Sequence, residues 1–250
     1  MVERDENGQI PNQLSFEDWI VFIFDHPILD LQWWWQDWPS EHFWFWDDEA
    51  DRSLTLSHLT RLFGNPSFLM DRFTRAQIDQ GLNYIVSNSC SNHMYVLTDE
   101  GLPLQDRIAC FQAMSSLYKN LFAPVYGNDI SHLARREDPE GEPTFSCHMW
   151  WDVMPFHAKV GLKVGQDEMN TAALEVMRYA LNLSSEACQE SGIHGLGDWV
   201  VFVPELVEPI LVEYIVREDI NSALRAYAMD ALSHSTFEGP FSSSNLSAPD

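Results

Sequence analysis

The chain has 250 residues, 45% of them apolar, and carries 38 acidic against 14 basic side chains for a net charge of −24. That is enough apolar chain to bury a core without disulfide or metal staples. The charge argues against an unassisted nucleic-acid binder and against a polybasic membrane anchor, both of which need local cation density. The longest apolar run, Trp19 to Phe24, is far too short to span a bilayer.

Met1 to Gln13 is polar and lacks the apolar stretch of a secretory signal. The four cysteines, Cys90, Cys110, Cys147 and Cys188, form no CxxC pair. Together these features predict free buried thiols and a cytoplasmic, reducing setting.

Residues 1–14 read as a disordered lead-in. Ser15 then opens a helix, because its hydroxyl can accept an orphan N–H and Glu17 and Asp18 suit the positive helix end. His26-Pro27 closes it, since the residue before a proline avoids the helical region. A helix is predicted over 53–63, with Leu56, Leu59, Leu62 and Phe63 on one stripe and Gly64-Asn65-Pro66 ending it. The next spans 74–87, where Ile78, Leu82, Ile85 and Val86 recur at helical spacing. Pro103 begins a long helix through Leu104, Ile108, Phe111, Met114, Tyr118 and Phe122, ending near Pro124 and Gly127. Residues 131–145 read as an internal loop. Helices are predicted over 167–181, 184–199, 204–216 and 219–233, and 237–250 as a loose tail.

Only 199–203 has strand character, and it has no alternating partner. The chain is therefore predicted to be all-α, one domain over 15–236. Its architecture is expected to be a helical bundle or a short irregular α-solenoid of about 7–9 helices.

The segment Ser191-Gly192-Ile193-His194-Gly195-Leu196-Gly197 aligns with Tyr227-Ala228-Met229-Asp230-Ala231-Leu232-Ser233 at a period of 36. Each places a leucine between small residues at a helix end, with a helix and a turn between the copies. Over residues 167–234 this resembles a HEAT-type α-solenoid repeat, with Arg225 standing for the usual basic residue. The resemblance implies a scaffold for binding rather than a chemistry. It also predicts that Leu196 and Leu232 are buried between helices.

Along 184–199 the polar stripe Glu186, Glu190, His194 and Asp198 climbs one face at four-residue spacing. Carboxylates beside an imidazole can hold a metal or act as an acid–base pair. The stripe has no second Glu-x-x-His copy of the carboxylate-bridged kind, so a solvated helix face is the simpler expectation. His148 and His157 flank Met149-Trp150-Trp151-Asp152 at no ligand spacing and read as structural. Cys147 and His148 are adjacent and point apart, which argues against a nucleophile–base pair. There is no P-loop, no G-x-S-x-G elbow and no H-E-x-x-H; Gly192 to Gly197 falls late in a helix rather than after a strand. No motif asks for a cofactor or a metal.

The remaining feature is Trp33 to Trp46, where eight of 14 residues are aromatic amid carboxylates. Such a run either caps the core or forms a recognition surface, with rings as anchors and carboxylates attracting cations. The surface reading names Trp33, Trp34, Trp35, Trp38, Trp44 and Trp46, beside Asp37, Glu41, Asp47 and Asp48. The function it predicts is an acidic helical interaction module that binds a basic protein or peptide. The alternative is a metal-dependent or acid–base enzyme using Glu190, His194 and Asp198.

Overall fold

The computed structural model describes residues 14–30, 32–35, 49–130, 145–158 and 165–233. In chain order its helices are α1 (Phe16–Phe24), α2 (Glu49–Gly64), α3 (Phe68–Arg72), α4 (Arg75–Val86), α5 (Leu104–Leu117) and α6 (Ala123–Tyr126). There follow α7 (Phe145–His148), α8 (Trp150–Val153), α9 (Gln166–Leu181), α10 (Glu186–Trp199), α11 (Pro204–Ile215) and α12 (Ser222–Ser233). Among the described residues eight helices have seven residues or more and no strand occurs, so the chain is all-α. The apolar segment 199–203 ends α10 and turns into α11. No described helix is long and apolar enough to cross a membrane.

Three hydroxyl caps set helix starts. Ser15 Oγ accepts from the Asp18 amide at 3.2 Å to open α1. Thr74 and Gln77 bond reciprocally to open α4. Ser185 Oγ accepts from the Cys188 amide at 3.3 Å to open α10. Each satisfies a backbone N–H that has no intrahelical acceptor, worth about 1 kcal/mol. Leu14 is not part of a loose lead-in: it is buried, and its carbonyl accepts from His58 Nε2 at 3.0 Å.

The helical run begun by α5 passes Pro124 and ends at Gly127, within the expected stretch. After α5 the chain widens into a π turn over Tyr118–Phe122 and runs on through α6, stopping at Gly127, whose φ is +58°. A proline ring clashes with the carbonyl four residues back in a regular α-helix. The wider turn just before Pro124 relieves that clash.

One continuous core runs from Leu14 to Ala231. α2 packs on α5, α9 on both α5 and α10, and α10 on α7, α8 and α12. Small residues on α10 permit these approaches. A Cβ on Gly195 would stand 2.6 Å from the Trp151 indole of α8, and one on Gly197 would stand 3.2 Å from the Ala231 Cβ of α12. Leu196 is fully buried as expected, but Leu232 is only partly so. On α12 the inward positions are Leu224, Ala228 and Ala231 at helical spacing, which leaves Leu232 at the margin. Arg225 closes the α11–α12 turn by donating to the carbonyls of Ile215 and Arg217.

Candidate functional site

Two of the tryptophans proposed as surface anchors are core residues. Trp33 and Trp34 begin a 3₁₀ turn and are 5% and 3% exposed. Trp33 stacks on His26 with ring centroids 3.9 Å apart, and both indoles pack on Tyr84. A 3₁₀ turn fans consecutive side chains about the axis, and here α1 and α4 cover the two rings. The side chain of Trp35 lies outside the described residues, as do Trp38, Trp44, Trp46, Asp37, Glu41, Asp47 and Asp48.

The polar stripe of α10 divides. Glu190 is fully buried beside the Cys147 thiol, so this is not a solvated face. A four-residue step advances 400° against 360° per turn, so the stripe drifts about 40° at each step and leaves the interior toward the helix end. His194 and Asp198 consequently reach the protein edge, part-buried, with His194 Nε2 3.9 Å from Asp198 Oδ2.

α8 supplies the third group. Asp152, His194 and Asp198 each place a ligand-type atom within 4.8 Å of the others. Asp152 follows Trp151, which the Gly195 notch seats directly against α10. The close approach of the two helices therefore sets the carboxylate beside the imidazole. The His148 ring of α7 lies 5.3 Å from the His194 ring, centroid to centroid. The Tyr227 hydroxyl of α12 is 2.5 Å from His194 Nδ1. His157 also acts electrostatically on Asp198. His148 and His157 thus border one cluster despite their uninformative spacing.

Asp198 is the strained member. Burial pushes its carboxyl above the ordinary range; His194 opposes that, Asp152 adds to it, and His157 opposes it. Among the described residues nothing donates a hydrogen bond to its buried Oδ2. A carboxylate oxygen withdrawn from water without a donor is costly, and a cation removes the cost.

Chemistry, not volume, locates this site. A hollow of about 490 Å³ lies between α2 and α5, lined by Leu56, Thr60, Arg61, Pro103 and Asp106 among others. It lacks the convergent acid–base groups expected of a reactive pocket. Asp152 and Tyr227 are the site residues that sequence reasoning missed. The available signals were the position of Asp152 between two histidines and of Tyr227 at the head of the second repeat copy.

No protein-family model matches the chain, and neither the curated proteins nor the solved structures provide a match.

Proposed function

We propose that the protein is a helical scaffold that binds one divalent transition-metal ion through Asp152, His194 and Asp198. The observation that carries this reading is the convergence of those three ligand atoms from α8 and α10. Two carboxylate oxygens and one imidazole nitrogen suit Mn²⁺, Fe²⁺ or Zn²⁺. Ligands about 2.0–2.2 Å from an ion stand about 3–3.4 Å from one another, so the trio closes slightly by rotation of the exposed Asp152. Tyr227 serves as the outer partner: with Nδ1–H donated to its oxygen, Nε2 presents its lone pair toward Asp198.

Three protein ligands at a part-exposed edge leave coordination positions for water, the pattern of catalytic rather than closed structural sites. An ion there lowers the pKa of bound water and supports hydrolytic chemistry. The HEAT-like reading of 167–234 enters as the platform that presents the site. The four cysteines are free, in keeping with the cytoplasmic setting proposed for it.

The test is equilibrium dialysis against Zn²⁺ or Mn²⁺ followed by elemental analysis. The wild type should retain one ion per chain, and His194→Ala and Asp198→Asn should retain none while keeping their helical spectrum. A wild type that retains no stoichiometric ion, or a His194→Ala variant that retains it, overturns the proposal.

A further inference from the structure

Away from the acid–histidine cluster, α11 carries an exposed face that a lone soluble helix has no reason to make apolar. Val207, Ile210, Leu211 and Tyr214 face the core. The opposite side carries Pro209, Val212 and Val216 in line with Glu205; Leu206 lies at its margin, and Phe202 precedes it. Val216 is 70% exposed and Phe202 is 54% exposed. From Phe202 to Val216 the row runs about 20 Å, the length of a helix of about 14 residues.

Carboxylates interleave with the row. Glu205 and Glu208 lie on the first turns, and Glu213, Glu218 and Asp219 on and beyond the last, whereas residues 201–219 hold one base, Arg217. Arg217 is already paired with Asp219, and Arg178 meets Glu213 at 3.6 Å. The face interleaves apolar and acidic side chains, with Glu205 on its central line and Glu208 and Glu213 to either side.

We propose that this face docks a basic amphipathic helix of another protein, whose apolar side covers Leu206, Val212 and Val216 and whose Lys or Arg residues meet Glu205, Glu208 and Glu213. Helix-on-groove recognition uses such spaced apolar anchors, and complementary charge fixes register and excludes wrong partners. Four other occupants fail on charge. A second copy paired antiparallel about Pro209 would set Glu205 of one copy near Glu213 of the other, and like charges across a self-complementary interface repel. Residues 234–250 of the chain contain no Lys or Arg. An anionic membrane or a nucleic acid is repelled by the same carboxylates.

The experiment uses the full chain and two synthetic helical peptides with one leucine pattern, flanked by lysines in one and by glutamates in the other. Fluorescence anisotropy should show the lysine peptide binding at least about tenfold more tightly than the glutamate peptide. The double variant Leu206→Asp/Val212→Asp should weaken the lysine peptide at least about tenfold with an unchanged melting temperature. These substitutions add negative charge, so an attraction due to charge alone would strengthen instead, and that outcome overturns the proposal. Undetectable binding of the lysine peptide by the wild type overturns it too. So does a concentration-dependent dimer abolished by the same double variant, which would make a second copy the occupant.

Discussion

His93 and His194 occupy similar company and face opposite demands. His93 is fully buried; its Nε2 accepts from Trp19 Nε1–H at 3.1 Å, its Nδ1 meets Ser91 Oγ at 2.8 Å, and Tyr84 packs against its ring. Burial lowers its pKa from 6.5 to about 3, with His58 adding to the effect. That histidine is neutral, bonded to neutral groups and closed to solvent. His194 has a tyrosine hydroxyl on one nitrogen, but two carboxylates stand on its other side at a part-exposed edge. The difference lies in what surrounds the ring. A core histidine is satisfied by neutral partners, while His194 has two carboxylates within reach at an edge, the arrangement on which the proposed metal site rests.

The sharpest way to break this contrast is to truncate the closed region. Trp19→Ala should cost about 3–5 kcal/mol in urea unfolding, because a fully buried indole and its bond to His93 are lost together. A loss under about 1 kcal/mol would mean that the region is not a core.

Acid should separate the regions next. The folded pKa of His93 lies below its unfolded value, so the stabilisation is complete above pH 6.5 and is lost as pH falls toward about 3. Between pH 6.5 and 5 this group alone should remove about 2 kcal/mol. His26 and His58, both also lowered by burial, shift stability in the same direction. Asp79 and Asp198, whose carboxyls burial raises, oppose this as pH falls, so the His93 share is read against a His93→Gln variant: the wild-type urea midpoint should fall more steeply with acid, and equal slopes would contradict a neutral buried His93.

The smaller effect concerns the edge. Tyr227→Phe removes the partner of His194 Nδ1. Metal affinity should drop at least about tenfold, the usual result of losing an outer partner of a ligand. Stability should change by under about 1.5 kcal/mol, the worth of one hydrogen bond. If affinity is unchanged in an isothermal titration, Tyr227 does not orient the imidazole.

Much of the helical frame was legible because its signals are local. Ser15, Thr74 and Ser185 cap helices through atoms three residues away, and His26-Pro27 ends α1 through its own backbone sterics. The end of the α5 run near Pro124 and Gly127 was legible too; the π turn that carries the chain past Pro124 was not. For Trp33 and Trp34 the sequence left a core cap and a recognition surface open, because consecutive aromatics have no period that names a buried face; α1 and α4 decide for the core. At the edge cluster, His194 and Asp198 were legible as a four-residue step on α10. Asp152 and Tyr227 were not, because they arrive from α8 and α12 through close approaches at Gly195 and Gly197 that no spacing rule reveals. Glu190 belonged to the same stripe in sequence, yet the drift of that stripe turns it into the core.

The most direct test follows the histidine ring resonances while substoichiometric Mn²⁺ is added. Bound Mn²⁺ broadens nearby nuclei and spares distant ones. The arrangement at α8 and α10 predicts that His194 broadens first, followed by its neighbour His148, while His93 keeps its line width throughout. Broadening that is absent, or that spreads over the exposed histidines without favouring His194, would contradict a metal centre at Asp152, His194 and Asp198.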